Sequence, residues 1–159
     1  MILIMAVVYY LVIGSFDVAD AFGAAAPVVS LGWPALIGLL FVLTIKLRKS
    51  PFDISMAEHA HQEIVRGMTT EMSGPTLAKV EVMHWCESVL FLGWVGLFFV
   101  WGGPVSLIVA VLVAVVTYLI EIWVNNNFAR VKWQAMLASA WAIAFLAGGG
   151  NLLVLALIA

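Results

Sequence analysis

Residues 105–124 read VSLIVAVLVAVVTYLIEIWV, twenty positions whose one charged residue is Glu121. A helix of that length rises about 30 Å, the thickness of a bilayer's hydrocarbon layer. Working outward, the stretch is flanked by a tight reversal, Gly102-Gly103-Pro104, and by a short polar turn over residues 125–132. Beyond these, residues 76–101, apolar after Glu87, and residues 133–158 read as further spans, the latter interrupted by Gly148-Gly149-Gly150. Residues 31–47 form another, entered through Trp33-Pro34 and closed by Lys46, Arg48 and Lys49. The first 13 residues are apolar but short for a span, and lack the basic start and small-residue cleavage site of a signal peptide. They read as a short helix that needs neighbours. The expected fold is therefore all-α, a polytopic membrane bundle of about five helices near residues 1–14, 31–47, 76–101, 105–124 and 133–158, in one domain. Residues 48–75 form its one long polar loop.

Composition agrees with that class. Of 159 residues, 65% are hydrophobic and 10% charged, where a soluble domain carries about a quarter of its residues charged. A soluble globule, a disordered chain and a basic nucleic-acid binder are excluded. Cys86, the single cysteine, cannot form an intrachain disulfide or hold a thiolate cluster alone. No cofactor is expected on this chain. All seven Lys and Arg residues fall in or beside the long loop and the 125–132 turn, and none in the alternate connections. The positive-inside rule then makes the loop cytoplasmic, in a multi-pass protein of the cell membrane.

The loop holds most of the ionisable groups. Ser50, Pro51 and Asp53 have the spacing of a helix start, so Asp53 either completes a capping box or is free for another task. The acidic helix that follows carries Glu58, His59, His61, Glu63 and Arg66, and Glu71 comes after it. His59 and Glu63 share a helix face, but His61 is turned about 200° from His59, and a structural zinc site needs more converging ligands. No metal site is expected. A solvated or partner-facing acidic loop is the stronger reading.

Glu81, His84 and Glu87 follow at steps of three. Each step turns about 60° around a helix and rises about 4.5 Å, so they form a slanted polar stripe running inward from the loop. Counted from Thr76, Glu87 falls about 16 Å along the helix, near mid-membrane. An ionised acid at that depth is costly unless protonated, paired or hydrated. Glu121 lies near the cytoplasmic end of the next span. Histidine between two such acids suits a proton relay. Helix–helix hydrogen bonding is the structural alternative. The expected proton or ion path is Glu71, Glu81, His84, Glu87 and Glu121.

The run SPFDISMAEHAHQEIVRGMTTEMSG, residues 50–74, resembles the long cytoplasmic loop of the complex I membrane subunit that carries the quinone cavity. HAHQE, the later KVEVMHWCESVL and NNNFARVKWQAML resemble more closely the equivalent subunit of energy-converting, Ech-type nickel–iron hydrogenases. The resemblance covers residues 30–145. It implies a non-redox membrane anchor that couples ferredoxin-linked proton reduction or hydrogen oxidation to H⁺ or Na⁺ translocation. Asp53, Glu58, His59, His61, Glu63 and Arg66 would face the redox module. The implied partners are the hydrogenase small subunit with iron–sulfur clusters, the large subunit with the nickel–iron centre, and antiporter-like membrane subunits. A quinone-reducing complex I relative and a passive scaffold are the alternatives. The chain departs from the family at Glu58, where hydrogenase relatives often carry histidine, and at Cys86, where an aromatic is expected. The resemblance also implies a subunit about twice this long, whose N-terminal half is expected elsewhere. With a short first helix and with Asp17 and Asp20 lacking nearby cations, a separate membrane chain resembling that half is expected beside residues 1–22.

Overall fold

The structure, a computed structural model, describes residues 2–47, 72–129 and 131–158. Every regular element among them is helical: α1 (Ile2–Ile13), α2 (Val18–Ala21), α3 (Val29–Lys46), α4 (Pro75–Leu97), α5 (Ser106–Asn127), α6 (Trp133–Ile143), a π-helical segment (Ala144–Gly149) and α7 (Gly150–Ile158). Four helical stretches among the described residues are long and apolar enough to cross a membrane: Val29–Lys46, Pro75–Leu97, Ser106–Asn127 and Gln134–Ile158. The chain is a polytopic helical membrane protein. The expected loop acids and bases Asp53, Glu58, His59, His61, Glu63 and Arg66, together with Glu71, lie outside the described residues.

α1 is apolar throughout and ends at Gly14, whose φ of +85° is the left-handed conformation glycine tolerates best. The Gly14 N–H closes the helix on the Tyr10 carbonyl at 2.7 Å. The chain then turns through Asp17, whose carboxylate accepts from the Ala19 N–H at 2.9 Å and caps α2. Tyr9 donates its hydroxyl to the Asp17 carbonyl at 3.0 Å, tying the turn back onto α1. Asp17, which has no cation nearby in sequence, thus finds a backbone donor in the Ala19 N–H.

α3 starts earlier than its sequence suggests. The Val29 N–H donates to the Phe98 carbonyl at 2.9 Å, so the helix begins there. Pro34 consequently falls inside α3, where it has no N–H to offer the preceding turn. Ala35, Leu36, Leu39 and Leu43 form the buried face, and they pack with Met5 and Val8 of α1 and with Phe91 and Val95 of α4 into one core. α4 opens with Gly74 at φ +54° and Pro75 in the first helical position. Its close partner is α5. A Cβ built on Gly96 would lie 3.3 Å from the Ala110 carbonyl oxygen, so glycine permits the approach of the two backbones. The buried positions of α5 are Ser106, Ala110, Thr117 and Glu121, a single stripe at helical spacing.

Residues 133–158 are helical throughout but not uniformly α. The wider π turn spans Ala144–Gly149, where the glycine run begins, and α7 resumes at Gly150 with Asn151 buried. At one end of the bundle two connections are stitched together: the Gly102 N–H meets the Ala24 carbonyl at 2.9 Å, beside the Val29–Phe98 bond. Lys46, Lys79 and Lys132 lie at the opposite helix ends, at the finish of α3, the first turns of α4 and the start of α6.

A candidate ion path at the end of α3

Two acids meet the last turn of α3 from different helices. The first is Glu87 of α4. Its Oε1 accepts a hydrogen bond from Lys46 Nζ at 2.6 Å, a short charge-assisted contact. Lys46 also sits 6.0 Å from the centre of the Phe91 ring, at the edge of cation–π range. One turn before Glu87, His84 Nδ1 lies 3.9 Å from Glu87 Oε2. That distance allows an ion pair only when the imidazole is protonated. His84 Nε2 is buried and has no hydrogen-bond partner among the described residues. Glu81, another turn back, is exposed.

Counting along α4 gives the expectation of Glu87 near mid-membrane; the ion pair with Lys46 fixes its position relative to α3. Lys46 is the last residue of α3, whose 18 residues rise about 27 Å, nearly a full hydrocarbon thickness. Glu87 therefore stands within a lysine side chain's reach of the end of a span. Most of residues 75–83, in the first turns of α4, are exposed.

The second acid, Glu121 of α5, is more deeply enclosed. At 4% exposure it is the one buried charged residue among the described residues. Its Oε1 lies 2.9 Å from the Thr44 hydroxyl of α3, about half a turn before Lys46 on the same helix. The Thr44 oxygen also lies 3.1 Å from the Leu40 carbonyl. Thr44 and Lys46 are two residues apart and so project to roughly opposite sides of α3. Each receives one acid.

The structure thus gathers His84 and Glu87 with Lys46, places Glu121 beside Thr44, and leaves Glu81 at the periphery. Sequence reading missed Thr44 altogether and used Lys46 only to mark the span's end and the orientation in the membrane. A lone hydroxyl in the apolar run LLFVLTIK was the available signal for Thr44. No group of three or more His, Cys, Asp or Glu residues with metal-site geometry occurs among the described residues. Chemically, the arrangement offers two carboxyl groups and an imidazole, held by a lysine and a hydroxyl, at the end of the bundle where the chain passes into residues 48–71. Groups of this kind take up and release protons or ligate a small cation.

The family model described as NADH dehydrogenase matches residues 1–156. No curated protein and no solved structure matches the chain.

Proposed function

The chain belongs to the NADH dehydrogenase family, and from that premise we propose that it is the ion-translocating membrane subunit of an energy-converting nickel–iron hydrogenase. As a complex I-type membrane subunit it works with other membrane and redox subunits. In the proposed complex, iron–sulfur clusters and the nickel–iron centre reside in soluble partners, antiporter-like subunits continue the membrane arm, and this chain holds neither redox group. Residues 48–71, carrying Asp53, Glu58, His59, His61, Glu63, Arg66 and Glu71, face the redox module on the cytoplasmic side. Electron transfer there alters the local charge, and Coulomb coupling in a poorly hydrated site changes how strongly nearby carboxyls hold protons. Protons then pass along Glu71, Glu81, His84, Glu87 and Glu121.

The observation that carries this reading is the burial of Glu121. A purely anchoring helix gains nothing from a carboxyl at 4% exposure, because an apolar side chain would fill the same space without the desolvation cost. The test is Glu121→Gln in the complete complex reconstituted into sealed vesicles. Redox turnover by the soluble module is expected to continue while ion movement per electron falls sharply. Unchanged pumping removes Glu121 from the path and returns the subunit to a scaffold.

A second reading, a subunit of a quinone-reducing complex, is favoured by the family match itself. The electron acceptor separates the two. Hydrogen evolution without quinone supports the hydrogenase; a strict quinone requirement supports the alternative.

A further inference from the structure

We infer that Thr44 is a positioning residue that keeps the buried Glu121 carboxyl hydrogen-bonded in both of its protonation states. The inference starts from a count of protons. A threonine hydroxyl has one proton to donate and lone pairs with which to accept. Thr44 Oγ1 has two oxygens within hydrogen-bond distance, the Leu40 carbonyl at 3.1 Å and Glu121 Oε1 at 2.9 Å. With Glu121 ionised, the hydroxyl donates to Oε1, and Leu40 keeps its helical partner. With Glu121 protonated, the carboxylic O–H donates to Thr44 Oγ1, and the Thr44 proton turns to the Leu40 carbonyl, a bond threonines commonly make one turn back along a helix. The change needs only rotation of one O–H bond. No heavy atom has to move.

That economy matters because Glu121 is enclosed and α3 is packed. A buried carboxylate without a donor bears the desolvation cost of its charge, and a buried carboxylic acid without an acceptor wastes its proton. Thr44 supplies whichever is required. When Glu121 gives its proton to water or to a neighbouring carboxylate, the charge left behind finds a donor at once. The other titratable groups on the described helices around this pair are Lys46 on α3, Tyr9 and Tyr10 on α1, Lys79, Glu81, His84, Cys86 and Glu87 on α4, and Tyr118 on α5. Lys46 is engaged with Glu87 at 2.6 Å, and the uncharged Thr44 hydroxyl is a contact that can serve both forms of Glu121. A permanently cationic partner would hold the acid ionised; a hydroxyl can bond either form, the charged one more strongly.

This inference rests on Glu121 being a proton carrier only for its functional consequence; the hydrogen-bond pair can be tested alone. The experiment uses the purified complex in lipid, comparing wild type with Thr44→Val, which keeps the shape and loses the hydroxyl, and Thr44→Ser, which keeps the hydroxyl. Infrared difference spectra between acid and alkaline pH report carboxylic acid groups, and the band absent from Glu121→Gln is assigned to Glu121. In Thr44→Val that band is expected to shift as the acid loses its acceptor, and the midpoint of its titration to move to higher pH because the carboxylate has lost its donor. In Thr44→Ser both are expected to match wild type. Coupled ion translocation should fall roughly tenfold in Thr44→Val, the scale of a lost hydrogen bond to a charged group, and recover in Thr44→Ser. An unchanged Glu121 band and midpoint in Thr44→Val overturns the role of Thr44, whatever the pumping rate. A shifted band with wild-type pumping upholds the pair and instead removes Glu121 from the ion path.

Discussion

A lysine closing an apolar helix can extend its stem toward water or lay its charge against an acid. Lys46 takes the second course at 2.6 Å from Glu87, and His84 stands one turn away on the other carboxylate oxygen. The pair is partly open, so its strength depends on what covers it in the assembly, and a coupling measurement is the suitable probe. Lys46→Met and Glu87→Gln should each lower coupled ion translocation, and the double variant should be no worse than the worse single one. That non-additivity, on the order of 1 kcal/mol when the same cycle is read on thermal stability, marks residues acting as a unit. Strict additivity would dissolve the pair. The candidate acids were legible because an ionisable residue stands out in an apolar run. Their partners were not: Glu87 and Lys46 are 41 residues apart, and Glu121 and Thr44 are 77 apart. Nothing local in the sequence links such positions.

α4 and α5 approach each other closely through Gly96 and Ala110. Leucine at Gly96 would force them apart at that point. Gly96→Leu is expected to destabilise the bundle by about 1–3 kcal/mol, the usual effect of overpacking, read as a lower unfolding temperature in detergent. Gly14 differs, because a Cβ there meets nothing within 4 Å and the constraint is φ alone. Gly14→Ala should cost about 1 kcal/mol for the left-handed conformation and leave the core intact; if φ governs, Gly14→Asn is better tolerated than Gly14→Ala. Helix existence followed directly from the apolar runs, since backbone groups in hydrocarbon must bond within their own segment. Helix ends followed less well. α3 begins at Val29, two residues before the expected residue 31, where a carbonyl from a distant turn, Phe98, captures the first N–H. α4 ends at Leu97, short of the expected residue 101. The π turn at Ala144–Gly149 was foreshadowed only as a glycine run that could loosen or tighten the helix.

At the scale of the whole molecule, the hydrogen bonds Gly102–Ala24 and Val29–Phe98 place the connections around residues 14–28 and 98–105 at one end. The described cations Lys46, Lys79 and Lys132 belong to helix termini at the other. The bundle therefore has one end without basic residues and one end that holds them, independent of which faces the cytoplasm. Translocation of basic segments during insertion is disfavoured, so the cationic end is expected to stay inside. The test uses single cysteines in a Cys86→Ser background, at Ala25 and at Ser73, which are exposed at opposite ends of the chain's fold. A membrane-impermeant thiol reagent added to intact cells should label Ala25→Cys and spare Ser73→Cys. After permeabilisation Ser73→Cys should label as well, and both should react in detergent, which controls for burial under a partner subunit. The reverse pattern would turn the molecule over in the membrane. It would also place residues 48–71, and the end of α3 where Glu87 and Glu121 meet Lys46 and Thr44, on the side away from any cytoplasmic redox module. Charge changes in that module would then have to act across the bilayer rather than at contact, a separation at which Coulomb coupling between them is weak.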